Sequence, residues 1–267
     1  MSTSTTAVEK PRTALSTVPE VTVLFWVAKV LTTGMGETAS DFLAHHLDPV
    51  VAGGLGAVGL AVALALQLRA RRYVPWVYWL AVAMVSVFGT MAADVVHVIL
   101  GIPYAVSTVA FLLTLAAVFA VWRRTEGTLS IHSITTRRRE LFYWTTVLTT
   151  FALGTAAGDL TATTLHLGYL ASGVLFAVVI AVPAIAHWKL GLGAVSAFWF
   201  AYIVTRPLGA SFADWMGVPA SRQGLGWGTG PVTLALAVLI VGVVGYLATT
   251  HVDAPVAEVR DRDTAGV

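Results

Sequence analysis

Five carboxylates, Glu37, Asp41, Asp94, Asp159 and Asp214, lie inside or at the ends of strongly apolar runs, with only Lys29 and Arg206 as basic company. An ionisable side chain at membrane depth costs roughly 2.5–3.5 kcal/mol on insertion scales and as a rule faces a protein interior or a watery path. The four Asp share one spacing: a Trp, a Gly ten residues on, an Asp five after that. The copies are Trp26–Gly36–Asp41, Trp79–Gly89–Asp94, Trp144–Gly154–Asp159 and Trp199–Gly209–Asp214. If all seven charged groups faced one cavity and ionised, the net charge would be minus three. Uptake of protons or of a cation relieves such repulsion. Carboxylate oxygens with a His nearby suit hard or borderline divalent ions such as Mg²⁺ or Mn²⁺. Asp41, Asp94, Asp159 and Asp214 are therefore candidate metal ligands. His45 and His97, near the outer ends of their segments, are candidates to attract the ion before entry.

Positions four apart on a helix nearly stack. Read back from each Asp, the faces are Lys29, Thr33, Glu37, Asp41; Val82, Ser86, Thr90, Asp94; Val147, Phe151, Thr155, Asp159; and Tyr202, Arg206, Ala210, Asp214. Small residues cluster before each Asp, around Gly36, Gly89, Gly154 and Gly209. Such residues let membrane helices approach closely. They would equally allow a broken helix whose freed carbonyls hold an ion. Arg206 precedes Pro207, which would kink its helix beside a charge and mark a gating or charge-pairing element. The alternative is a structural network in which Lys29 and Arg206 pair with Glu37 and some of the Asp.

These residues need long apolar elements to carry them. The 267 residues are 57% hydrophobic and 11% charged, with mean hydropathy +0.80, against about 25% charged in a soluble domain. Eight apolar stretches, near 22–46, 50–68, 75–100, 103–122, 142–166, 168–187, 194–217 and 231–250, each approach the ~20 residues a membrane-crossing helix needs. Odd stretches carry the Trp–Gly–Asp pattern; even ones have no Asp, Glu, Lys or Arg. The fold expected is all-α and polytopic, with eight transmembrane helices arranged as four parallel two-helix hairpin repeats, approximately 21–70, 74–123, 140–190 and 194–250. Flexible tails are expected at 1–20 and 252–267 around a membrane domain at 21–251.

Thirteen Lys and Arg fall in the even-to-odd loops and tails, and only Arg222 in the opposite loops. This asymmetry predicts both termini in the cytoplasm of a multi-pass protein of the cell's inner membrane. Trp26, Trp79, Trp144 and Trp199 would then start the odd helices on the cytoplasmic side, where Trp often sits at the interface, as would Trp76, Trp122 and Trp188. The basic loop Arg123–Glu140 would anchor at anionic lipid. The absence of cysteine excludes disulfides and thiolate metal sites. There is no phosphate-cradling loop, nucleophile elbow or metalloprotease helix, and no nucleic-acid partner is expected. An intramembrane aspartyl protease would need only two carboxylates sharing a proton; four equivalent Asp exceed that need.

The stretches KVLTTGMGETASDF, VFGTMAADVVH, FALGTAAGDLTA and TRPLGASFADW, with Trp26, Trp79, Trp144 and Trp199, resemble a bacterial integral membrane protein family. That family is built from a four-fold tandem repeat of unknown function, each unit with two membrane segments and a characteristic Trp. The resemblance implies architecture and brings no activity. The function expected from the residues is membrane transport of a cation, a bound divalent metal such as Mn²⁺ or Mg²⁺ exchanged for protons, with the bilayer and a small ion or small-molecule substrate as partners and no other cofactor. The alternatives are an anion or organic-acid transporter using Lys29 and Arg206, and a non-transporting scaffold or stress protein.

Overall fold

Helix boundaries follow local chemistry. Thr22 caps α1 (Val23–His46) by accepting from the Phe25 amide, and Asp48 caps α2 (Pro49–Arg69) by accepting from Val50 N at 2.9 Å. Pro49 and Pro75 open α2 and α3 (Pro75–Asp94), where a missing N–H costs nothing. α4 (Tyr104–Glu126) ends on Gly127 with φ +73°. Thr136 caps α5 (Arg137–Asp159). α6 (Tyr169–Val179) and α7 (Ala181–Leu190) form one broken run, then come α8 (Ala194–Gly217) and α9 (Thr229–Thr250). The α6–α7 break lies at Ile180, and Pro183 explains it: its ring nitrogen cannot bond the carbonyl four residues back. The computed structural model describes residues 16–255, and those residues contain helix and loop but no strand.

Five runs, Pro49–Arg69, Pro75–Ile99, Tyr104–Glu126, Tyr169–Leu190 and Thr229–Thr250, are long and apolar enough to cross a membrane by length and composition. The helices α1, α5 and α8 fall outside that set because charged residues in α1 and α8, and a charged first turn and five Thr in α5, lower their hydropathy; the charges of α8 and of the middle of α1 point inward, whereas Arg137 and Arg138 at the start of α5 are exposed. Lys29, Glu37, Arg206 and Asp214 are buried, whereas the outward faces of α2, α4, α6 and α9 expose Val58, Leu113, Val178 and Leu234.

The helices α1, α3, α5 and α8 contact one another in a closed ring, α1 on α3, α3 on α5, α5 on α8 and α8 back on α1. The outer helices do not pack chiefly on their own repeat partners. α2 packs on α3, α4 on α5, α6 on α8 and α9 on α1. The expected two-helix hairpins are therefore splayed, and each outer helix clasps the inner helix of the next repeat. An apolar helix with no polar stripe carries no mark of which neighbour it prefers.

One end of the bundle gathers both described ends of the chain. Glu20 N donates to Asp253 O at 2.9 Å, Gln67 Nε2 donates to Thr17 O and to Glu140 Oε1 at 3.1 Å each, and Tyr73 donates to Asp253 Oδ2 at 2.5 Å. Val18 and Asp253 are buried, so packing extends beyond both edges expected for the tails; residues 1–15 and 256–267 lie outside the described residues. The 123–140 stretch is more than a surface anchor. Ile131 and Ile134 are buried, and Arg138 and Arg139 both pair with Glu126.

Candidate functional site

The four repeat glycines build the ring. A methyl group on Gly36 would come within 2.8 Å of the Ser86 backbone, on Gly89 within 2.7 Å of Phe151 Cβ, on Gly154 within 2.6 Å of Arg206 Cβ, and on Gly209 within 2.9 Å of Thr33 Cβ. Ser86, Phe151, Arg206 and Thr33 each lie three residues before the glycine of their own repeat. Every repeat therefore receives the next one in the same way, and the last receives the first, as in a ring of pseudo-four-fold symmetry. Close approach is the role of these glycines. The helices run through all four without a break, which corrects the alternative in which they open the backbone.

The inward faces read from the sequence stack as layers along the ring axis, and the structure adds one aromatic layer a turn earlier. The first holds Phe25, Tyr78, Tyr143 and Phe198, the first three almost fully buried, with the Tyr78 and Tyr143 hydroxyls 2.5 Å apart. The next holds Lys29, Val82, Val147 and Tyr202, all buried. Then come Thr33, Ser86, Phe151 and Arg206, then Glu37, Thr90, Thr155 and Ala210, and last the four Asp.

Arg206 is fully buried and lies between repeats. Its Nη2 donates to Glu37 Oε2 at 2.5 Å, to Thr155 Oγ1 at 2.8 Å and to Thr90 Oγ1, and its Nη1 donates to Thr33 O at 3.1 Å. Its Cζ stands 5.3 Å from the Phe151 ring centre. The Glu37–Arg206 pair is thus the central ion pair. Thr90 and Thr155 were legible only as inward-facing positions; their part in holding the guanidinium depends on the register between repeats.

Lys29 joins no such network. Its Nζ lies 4.0 Å from the Phe151 ring centre and 4.1 Å from that of Tyr202, and among the described residues no hydrogen-bond partner reaches it. The pairing of Lys29 with a carboxylate, part of the alternative structural network, is absent among the described residues, because its side chain rises from the apolar layer below Glu37 and meets ring faces instead.

The Asp carboxylates share one neighbourhood. Asp94 lies within electrostatic reach of Glu37, Asp159 and Asp41, Asp159 of Glu37 and Asp41, and Asp214 of Glu37, Asp41 and Asp159. Asp214 is buried and the other three are partly exposed. Among the described residues none of the four makes an ion pair, and no three His, Asp or Glu side chains close on one point as a metal grip. Arg222, from the α8–α9 connection, reaches the field of Asp41 and Asp159 and donates to Tyr169 Oη at 2.6 Å. Directly after Asp94 and Asp159 the helix widens into π-turns, Val95–Ile99 and Leu160–Thr164, a feature with no mark in the sequence that recurs at functional sites in other proteins. His45 is exposed and bonded to Asp41 O, while His97 is bonded to Ile102 O.

Most of the Trp residues correct the interfacial expectation. Trp79, Trp144 and Trp199 are buried, as is Trp122, and Trp26 is partly so. Trp199 Nε1 donates to Leu129 O at 2.9 Å, tying the ring to the α4–α5 connection. Trp76 and Trp188 are exposed. The shared Trp is a packing element: its indole fills the space between neighbouring inner helices at the aromatic end of the axis.

The chain shows no significant similarity to any curated protein or solved structure. A family model does match, in four copies over residues 24–73, 77–128, 142–191 and 197–252, so that the interlocked ring just described is built from one unit used four times. The chain belongs to the family defined by that unit, the DUF347 repeat of unknown function.

Proposed function

We propose that this is a membrane carrier with eight spanning segments, α6 and α7 together making one, that moves a cation along the ring axis through the site of Asp41, Asp94, Asp159, Asp214 and Glu37. The observation that carries this reading is the shared neighbourhood of the five carboxylates inside a bundle whose outer faces are apolar. Carboxylates brought together at membrane depth are costly unless something positive visits them. The thirteen-to-one distribution of basic residues supports an aromatic end facing the cytoplasm and an Asp end facing outward. Arg206 and the aromatic layer fill the axis on the cytoplasmic side, which favours alternating access over an open pore.

Reconstitution in proteoliposomes tests the reading. Uptake of Mn²⁺, Mg²⁺, Na⁺, K⁺, guanidinium and protons is followed in turn. The Asp94→Asn and Asp159→Asn variants are expected to lose flux of the transported cation at unchanged melting temperature. Wild-type flux in the variant with all four Asp changed to Asn would end the proposal. A second reading, transport of an anion or organic acid, is favoured by one observation, the buried Lys29 Nζ without a hydrogen-bond partner. Arg206, already held by Glu37, offers that reading less.

A further inference from the structure

The oxygens around Arg206 form a cage in their own right. Glu37 Oε2, Thr90 Oγ1 and Thr155 Oγ1 converge on a single nitrogen, Nη2, and Thr33 O accepts from Nη1 beside it. Glu37, Thr90 and Thr155 occupy the same position in the first three repeats, one residue after the glycine. The fourth repeat has Ala210 there and extends a guanidinium from one turn earlier instead. Three corners of a pseudo-symmetric layer are thus oxygen, and the fourth repeat supplies the positive charge that they surround.

We propose that this cage is a binding site for a small, singly charged, hydrogen-bond-donating cation of the guanidinium or ammonium class, and that Arg206 is a tethered occupant which such a cation displaces during transport. The inference rests on the cation-transport reading for its place in the cycle; the binding itself does not depend on that reading.

The charge class follows from the count of formal charges. Within the cage one carboxylate among neutral oxygens balances one positive charge, the four Asp standing a layer away, and a divalent ion held by the cage alone would leave a buried surplus. The donor class follows from the hydroxyls. The one proton of Thr90 Oγ1 goes to Ser86 O at 3.0 Å, with Glu37 Oε2 farther off at 3.4 Å, and that of Thr155 Oγ1 to Phe151 O at 3.2 Å. Both therefore present lone pairs to the cage and ask for N–H donors. The Phe151 ring supplies an aromatic face of the kind that attracts a cation. Two features make Arg206 displaceable. Its Nε has no hydrogen-bond partner among the described residues, so the fork is held at its tips. Pro207 leaves the carbonyl four residues back without its helical donor, a place where α8 can bend.

The test uses purified full-length protein in detergent. Arg206→Ala empties the tethered occupant and leaves Glu37 unpaired, and Arg206→Gln is prepared beside it to keep more of the volume. Melting temperature is followed against sub-denaturing guanidinium chloride or ammonium chloride, with NaCl, MgCl₂ and tetramethylammonium chloride at matched ionic strength. Both variants are expected to melt below wild type and to regain several degrees, saturably, with guanidinium or ammonium alone; wild type and the Glu37→Gln/Arg206→Ala pair are expected to show no such gain. A gain as large with Na⁺, Mg²⁺ or tetramethylammonium overturns the assigned class. No gain, or failure to recover either variant even when guanidinium is present during extraction, overturns the site. Loss of the transport reading through the four-Asp variant would leave this binding result standing, so the two failures are distinguishable.

Discussion

Gly154 of α5 makes the space in which Arg206 of α8 lies: a methyl group at Gly154 would collide with Cβ and Cγ of Arg206 and come within 3.0 Å of Pro207 Cδ. The smallest side chain of one repeat is thus the condition for the largest charge of the next. Gly158, one turn on, meets nothing closer than 3.8 Å. Gly154→Ala is expected to push Arg206 off Glu37 and lower stability sharply, since breaking a buried ion pair costs about 3–5 kcal/mol. Gly158→Ala is expected to be neutral or to stabilise by up to about 1 kcal/mol through helix propensity. Thermal unfolding of the two variants in detergent, side by side, checks this; equal losses would detach the glycine from the ion pair.

Lys29 yields the opposite sign. Its ammonium is buried between the Phe151 and Tyr202 rings and accepts no help from a carboxylate. Ring faces return only part of the cost of burying such a charge, about 2 kcal/mol or somewhat more when desolvated. Lys29→Met keeps the length and removes the charge, so it is expected to raise the melting temperature; each 1 kcal/mol is worth about 2–4 °C in a domain of this size class. If the variant is stabilised and loses flux, Lys29 is held at a cost in stability for the sake of transport. A destabilised variant would mean that the ammonium has a partner in the folded protein.

The layered axis was legible because helix geometry is strict. Four-residue steps back from each Asp named the side chains of four inner layers, and one further step would have named the aromatic layer of Phe25, Tyr78, Tyr143 and Phe198. The partner of each layer was not legible, since register between repeats is set by contacts such as Gly209 on Thr33, which no single segment contains. The interfacial expectation for Trp79 and Trp122 failed for a related reason: a polar N–H on an apolar ring suits a membrane interface and a buried aromatic cluster alike. The splayed hairpins were hidden by the even helices themselves, whose apolar residues surround the whole circumference. The π-turns after Asp94 and Asp159 were not legible either, since their residues, VVHVI and LTATT, share no pattern that sets them apart from a regular turn.

The two Trp residues Trp199 and Trp122 separate a hydrogen bond from ring packing. Both are buried in one aromatic cluster, but Trp199 Nε1 donates to Leu129 O at 2.9 Å, whereas Trp122 Nε1 has no hydrogen-bond partner among the described residues. Replacing each with Phe removes a comparable volume, so the loss at Trp199 is expected to exceed that at Trp122 by about 1 kcal/mol, the net value of one hydrogen bond. Proteolysis within the 127–136 connection should also rise in Trp199→Phe alone, since Leu129 then loses its tie to α8.

At the aromatic end, Asp253 gives a pH-dependent clasp between the chain's two described ends. Burial pushes its carboxyl above the ordinary value of 3.8, and the Tyr73 hydroxyl bond offsets that only in part. Because the folded state binds this proton more tightly than the unfolded chain, the contribution is fully present below about pH 4 and is lost as pH rises through the raised value. Asp253→Asn retains an oxygen for Tyr73 and cannot ionise. The difference in melting temperature between Asp253→Asn and wild type is therefore expected to widen in favour of Asn from about pH 4 to about pH 7. A difference that stays flat over that range would show that Asp253 titrates alike in both states, and Glu20 N with its bond to Asp253 O would then hold the clasp through backbone contacts alone.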